Sequence, residues 1–260
     1  MRTIFLSFLL ASLFFWTGIT RSEGAPPSHD LRENMVSIPV GKFKMGCNRF
    51  GFQHGAPEHE VHLDEFMIDR FEVTNKQFEE VMPDHKLRRS VLSECDDCPV
   101  TRVTWYEAAD YCYLIGKTLP TEAQWEKAAG GGNGCDFPWG SKFDSKSSQA
   151  RGGLKLRDNA APVGSFPPNR HGIHDMAGNV WEWVSDWFSP GYYFPEFLYN
   201  PRGPQQGVMK VRRGGAWSDD IIAMRSGYRD WSHPFSRSFN DIGFRCVINI
   251  NFNFSDDYPK

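Results

Sequence analysis

Apolar and polar positions alternate from Met35 to Met45, with Val36, Ile38, Val40, Phe43 and Met45 as the apolar members. This pattern predicts a strand or hairpin arm. A similar run lies between His59 and Val73, carried by Val61, Leu63, Phe66, Ile68 and Phe71. Three helix starts follow: Thr74 with Gln77, Thr104 with Glu107, and Thr121 with Gln124. Each is a capping box, in which the threonine hydroxyl and the Glu or Gln side chain satisfy backbone donors left open in a first helical turn. The second helix places Trp105, Ala108, Ala109, Cys112 and Ile115 on one face and stops at Gly116; the third ends in Gly130-Gly131-Gly132. Beyond that, residues 133–215 show no sustained period and are rich in Gly, Pro, Asn, Trp and Phe. They are too aromatic for disorder, so irregular but packed backbone is expected there. Few regular elements, no internal repeat and no linker predict one α+β domain spanning 35–250.

The N-terminus changes the picture by setting a compartment. Arg2 precedes an apolar run from Ile4 to Trp16, and Ser22-Glu23-Gly24 offers a small-x-small cleavage site. That run is too short to span a bilayer and suits a signal peptide over 1–24, with an uncleaved anchor as the alternative. No later stretch is long and apolar enough to insert stably in a membrane, so a periplasmic or secreted protein is expected. A net charge of -3 gives no electrostatic footprint for nucleic acid or an anionic membrane. Six cysteines in an exported chain favour disulfides.

Candidate chemistry concentrates in Gly172-Ile173-His174-Asp175-Met176-Ala177-Gly178-Asn179-Val180-Trp181-Glu182-Trp183. Asp175 and Glu182 bracket a glycine-containing turn, and hard oxygens gathered around one turn suit Ca²⁺. Alternatively Asp175 caps a turn and Glu182 pairs with a buried arginine. The segment also belongs to an ordered series. Pro39-Val40-Gly41-x-Phe43-x-Met45-Gly46, Phe71-Glu72-Val73-Thr74-Asn75, Pro99-Val100-x-x-Val103-x-Trp105 and Leu119-Pro120-Thr121-Glu122-x-x-Trp125-Glu126 precede it, with Phe137-Pro138-Trp139-Gly140. Arg213-Gly214-Gly215-x-Trp217 and Ile242-Gly243-Phe244-Arg245-Cys246 follow it. Together these motifs resemble the formylglycine-generating enzyme (sulfatase-modifying factor) family over roughly residues 35–248.

The resemblance implies a single compact domain of C-type-lectin-like fold, low in regular secondary structure and stabilised by calcium. It implies one calcium site, with Asp175 and Glu182 ligating by side chain and Gly178 and Val180 by carbonyl. The family's other calcium site is not expected here, because Lys155 and Arg157 fall where its ligands belong, although Asp158 is close by. It implies a structural disulfide between Cys112 and Cys246. It also implies Cu(I) held by two thiolates just after Gly214-Gly215. This chain reads Ala216-Trp217-Ser218-Asp219-Asp220 there. A carboxylate is a poor ligand for soft Cu(I), so copper-dependent oxidation of a substrate cysteine is not expected. Trp217, Ser218, Asp219, Arg225, Tyr228 and Arg229 are the substrate-groove candidates, with a salt-bridge network as their other reading.

Cys47, Cys95, Cys98 and Cys135 remain, as disulfides in one of three pairings or as a four-cysteine zinc site. The acids Asp96 and Asp97 between Cys95 and Cys98 would raise a thiol pKa and so argue against a redox motif. His54, His59 and His62 offer imidazoles, but an odd spacing puts His59 and His62 on opposite faces of a strand. His171 and His174 flank Gly172 and are expected to pack beside the calcium segment. The expected function is an exported, calcium-stabilised accessory or maturation factor that acts with a protein or peptide. The alternative is a maturation enzyme acting on a peptide or peptide-derived metabolite by chemistry other than cysteine-based oxidation.

Overall fold

A computed structural model of the chain describes residues 31–49, 55–130, 134–147, 158–193, 198–237 and 239–250. The expected leader, His54, Lys155 and Arg157 lie outside the described residues. The first alternating run forms two strands, β1 (Met35–Ile38) and β2 (Gly41–Met45). Pro39 separates them, since proline has no N–H to give to a ladder. The second run likewise divides into β3 (His59–Leu63) and β4 (Phe66–Asp69). β1 pairs antiparallel with β4, and β2 antiparallel with β3, so the two runs interleave in two sheets.

All three capping boxes form. α1 (Asn75–Val81), α2 (Trp105–Leu114) and α3 (Glu122–Ala129) each start with a threonine accepting from the third N–H, while the Gln or Glu side chain accepts from the threonine N–H. Gly116 takes a positive φ of 76° just past α2, the geometry that stops a helix.

The expectation of wholly irregular backbone over 133–215 needs correction. β5 (Trp181–Trp187), β6 (Leu198–Tyr199) and β7 (Lys210–Arg213) lie there. β5 and β7, with β8 (Arg229–Ser232) and β9 (Ile242–Gly243), build a four-stranded sheet of order β8-β7-β5-β9. β5 escapes a period-two reading because its first four residues are all buried, so apolar and polar positions do not alternate. β10 (Val247–Asn249) completes the sheet β1-β4-β10, and β6 completes β2-β3-β6.

The core packs Trp125, Trp181, Trp183, Phe66, Phe78 and Phe244 between α3, β5 and the neighbouring strands. Three buried arginines cross it, each matched to a glutamate. Arg213 bonds Glu126, Arg229 meets Glu122 at 2.6 Å, and Arg245 meets Glu182 at 2.7 Å. Cys112 bonds Cys246, Cys47 bonds Cys135 and Cys95 bonds Cys98. The four cysteines left open by the sequence thus form two disulfides, and no thiolate remains for zinc. Among the described residues, no helix is long and apolar enough to cross a membrane.

Candidate functional site

Two neighbouring features carry the chemistry. The first is a buried group of acids where the chain leaves β4 and enters β5. Asp175, Gly178 and Asn179 have φ of 60°, 85° and 60°, which curls the loop tightly; Asp, Asn and Gly tolerate that region best. Glu182 follows as the second residue of β5, fully buried. Both its oxygens are engaged: Oε1 accepts from the Arg245 guanidinium at 2.7 Å, and Oε2 accepts from Arg245 Nε at 2.7 Å and Trp125 Nε1 at 2.8 Å. One of the two side-chain ligands expected for calcium is therefore committed to an arginine.

Asp175 is placed differently. Its Oδ2 accepts from the Gly164 N–H at 2.6 Å, while Oδ1 is buried without a hydrogen-bond partner. Glu72, just beyond β4, is in the same condition. Its Oε2 accepts from Asn179 Nδ2 at 2.8 Å, and its buried Oε1 has no partner. Burial drives the Asp175 carboxyl up to about 6. Burial and the charges of Asp175 and Glu182 drive Glu72 well above the usual carboxylate range. Three acids share the one guanidinium of Arg245, and two bare oxygens remain, which is the environment a hard cation relieves. Asp175 and Glu72 fit such an ion. Among the described residues no three His, Cys, Asp or Glu side chains converge on one point, so carbonyls such as those of Gly178 and Val180 would have to complete a shell. Glu72 and Asn179 were not singled out as site residues from the sequence. The available signal was an acid set between Phe71 and Val73 in a quoted motif.

The second feature is the loop that follows β7, where the groove candidates begin. Gly214 and Gly215 have φ of 97° and 72°, and a Cβ on Gly215 would meet the Met224 methyl at 2.8 Å, so the turn requires glycine. Ala216 is fully buried beyond it, and the Trp217 N–H donates to Asn179 O at 2.9 Å, tying the groove to the acid loop. Asp219 Oδ2 accepts from Trp181 Nε1 at 2.7 Å and from the Ala216 N–H at 3.0 Å. Ser218 Oγ donates to Asp241 Oδ2 at 3.3 Å, while Asp241 Oδ1 and Trp217 Nε1 are buried and unpartnered. Burial, then the charge of Asp241, raises the Asp219 carboxyl. Arg212 lies over the Trp181 ring at 4.6 Å and over Phe239 at 5.4 Å, and meets Asp230 at 2.6 Å. Tyr228 packs 6.2 Å from Trp181.

Of the groove candidates, Asp219 and Tyr228 meet Trp181, Ser218 bonds Asp241, and Trp217 is tied to Asn179; Arg212 and the Asp241 carbonyl also meet Trp181. Arg225 stands aside, donating to Cys135 O and covering the Phe137 ring at 4.5 Å. Arg229 is removed from the groove altogether: it is buried, and two of its nitrogens bond Glu122 at 2.6 and 2.7 Å. The family resemblance implied a groove position, but strand alternation turns it into the core.

Among the described residues the histidines form no metal-holding group. His59 is buried, whereas His62 stacks on Tyr199 at 4.9 Å from the other face of β3. His174 bonds Phe166 O at 2.7 Å and packs against Phe71 at 4.9 Å.

The family model described as "Sulfatase-modifying factor enzyme 1-like domain" matches residues 22–250. Over 253 residues the chain is 35% identical to "Serine/threonine-protein kinase pkn1" of Chlamydia pneumoniae, covering 87% of this chain but 39% of that protein. The chain thus spans about two fifths of that kinase-named relative. It is 30% identical over 278 residues to "Formylglycine-generating enzyme" of Mus musculus, covering 82% of this chain and 74% of that one. It is also 30% identical to "Inactive C-alpha-formylglycine-generating enzyme 2" of Bos taurus, covering 82% of this chain and 87% of that protein. Among solved structures, PvdO from Pseudomonas aeruginosa superposes with a TM-score of 0.67 at 26% identity, covering 83% of this chain and 94% of that chain.

Proposed function

The chain belongs to the sulfatase-modifying factor (formylglycine-generating enzyme) family, and from that premise we propose that it is an exported accessory or maturation factor that engages a protein or peptide without copper-dependent cysteine oxidation. One observation carries this reading. Where thiolates would hold Cu(I), Ala216 is sealed in the core, Asp219 is spent on Trp181 and the Ala216 N–H, and all six cysteines are in disulfides. No thiolate is left at that position. A relative whose name includes "inactive" covers most of the chain, which favours a family scaffold used without that turnover. The three disulfides suit an oxidising compartment, in line with the leader-like N-terminus.

Calcium is part of the proposal. Asp175 and Glu72 would hold it through their bare oxygens, supplemented by backbone carbonyls of Gly178 and Val180, with Glu182 kept by Arg245. The ion would supply charge balance and pin the acid loop beneath Trp217. The groove residues Trp217, Ser218, Tyr228 and Arg212 would then meet an extended peptide by ring contact and hydrogen bonding.

The test is to purify the protein from an oxidising host, measure copper and calcium per chain, and follow oxygen uptake with cysteine-containing peptides. Calcium without copper and no peptide-dependent uptake is expected. Stoichiometric copper with peptide-dependent oxygen consumption would sink the proposal. A second reading, turnover of a peptide or peptide-derived metabolite, is favoured by the facing acids Asp219 and Asp241 beside Ser218 and Tyr228. It predicts product formation that is lost in Asp219→Asn and Asp241→Asn.

A further inference from the structure

A cavity of about 410 Å³ opens at the far end of β7 from the groove. Lys210 begins that strand and the groove loop follows its last residue, so the strand separates the two sites. Trp105, Trp187, Tyr113, Leu119 and Lys210 are among the walls. This volume is within the range of small-molecule sites.

Lys210 is the unusual member. It is 3% exposed. Its Nζ lies 3.7 Å from the Trp105 ring centroid and 3.9 Å from that of Trp187, and donates to Ser185 O at 2.7 Å. An ammonium has three donors, and among the described residues the other two meet no acceptor. Among the described residues the buried arginines all have a glutamate, but no carboxylate is within ion-pairing distance of Lys210. Asp186 attracts it from further off, with its own carboxylate turned to the Glu122 N–H at 2.8 Å and the Ser185 hydroxyl at 3.1 Å. The indole faces offset part of the cost of a buried cation, and the rest calls for an anion.

Acids on the same wall are already occupied. Asp64 accepts from the Tyr199 hydroxyl at 2.5 Å and Asn200 Nδ2 at 2.8 Å, and Glu65 accepts from the Ser37 hydroxyl at 2.7 Å. Lys117 is likewise held by Asp69 at 2.6 Å. Asp64 and Glu65 keep their charges, bonded there by neutral donors and partly or fully exposed to solvent, whereas Lys210 is buried on this wall with no ion-pair partner among the described residues.

We propose that the cavity binds a small organic carboxylate, with its anionic oxygens on Lys210 and its apolar body against Trp105 and Trp187. Burial brings the amine down to about 7, and a bound anion restores its charged form at neutral pH. The site is independent of the groove and of the acid loop.

The experiment uses the full exported chain, tryptophan fluorescence and calorimetric titration, with benzoate and hippurate as probes and benzamide as the neutral control. Benzoate or hippurate should bind one to one, and benzamide at least tenfold more weakly. Lys210→Met should lower carboxylate affinity at least tenfold. Gln205→Trp, at an exposed position on the cavity wall, should block binding with an unchanged melting temperature, and so decides the matter even if Lys210→Met does not fold. Equal binding of acid and amide, no binding of either acid, or binding unaffected by Gln205→Trp would overturn the proposal.

Discussion

Arg245 and Glu182 meet with essentially no exposure to water, joined by two bonds of 2.7 Å. Desolvating two charges is costly, and their attraction recovers that cost only while both are present. Arg245→Met should therefore destabilise the fold by about 3–5 kcal/mol, because Glu182 is left buried and unpaired. Arg245→Met with Glu182→Leu should recover part of the loss in urea unfolding; a double variant no better than the single one contradicts this account. Asp186 provides a pH test. Burial and the charge of Glu122 push its carboxyl up to about 7. A raised carboxylate pKa means stability that is fully present below the unfolded value near 4 and lost as pH climbs to about 7. Relative to Asp186→Asn, the wild-type protein should thus lose about 3 kcal/mol between pH 4.5 and 7.5, and parallel urea midpoints at the two pH values would refute it. These residues were the least legible part of the sequence. Charged side chains ordinarily read as surface, and nothing in the spacing of Glu122, Asp186 and Arg229 announces that they share a buried site. Arg229 is a groove candidate by resemblance, and the resemblance does not show that it turns inward to Glu122.

The helices were legible because their signal is local. Thr104 and Glu107 lie three residues apart, and the bonds they form, Glu107 N–H to Thr104 Oγ1 at 3.1 Å and Thr104 N–H to Glu107 Oε2 at 2.8 Å, need only one turn of backbone. Thr104→Ala should cost about 1 kcal/mol, read from the urea midpoint. An unchanged midpoint would show that tertiary packing alone starts α2. β5 was not legible, because its environment is set by chains far away in sequence: Arg213 pairs opposite Glu182 on one side and Gly243 on the other. Disulfides tie such distant elements with unequal force. Cys112 and Cys246 are separated by 134 residues, Cys95 and Cys98 by 3. On chain entropy, opening the first should cost about 5 kcal/mol and the second about 2 kcal/mol. Denaturation of the paired Cys→Ala variants checks the order, and equal losses would mean native-state strain governs both.

At the scale of the whole molecule, the acid loop lies where distant parts of the chain meet. Glu72 arrives from beyond β4, Asp175 from the loop before β5, and Arg245 from beyond β9. Asn179 links two of these parts, bonding Glu72 at 2.8 Å and the Ala161 N–H at 2.9 Å. The ordered motifs made the family and the loop legible. They did not reveal that Glu72, rather than Glu182, has the bare oxygen, because that depends on which acid Arg245 reaches first in the fold. An ion bound by Glu72 and Asp175 would join segments that otherwise repel, and ligand linkage gives the expected size. At a calcium concentration 100 times the dissociation constant, the gain is about 2.7 kcal/mol. For a domain of this length that corresponds to a rise of roughly 5–10 °C in melting temperature. Adding EGTA should remove the rise, and Glu72→Gln or Asp175→Asn should remove it without chelator. Since these variants also delete a buried charge, each should melt higher than the calcium-free wild-type protein. A melting temperature indifferent to calcium, with both variants less stable than the calcium-free protein, would show that the acids are balanced by Arg245 alone.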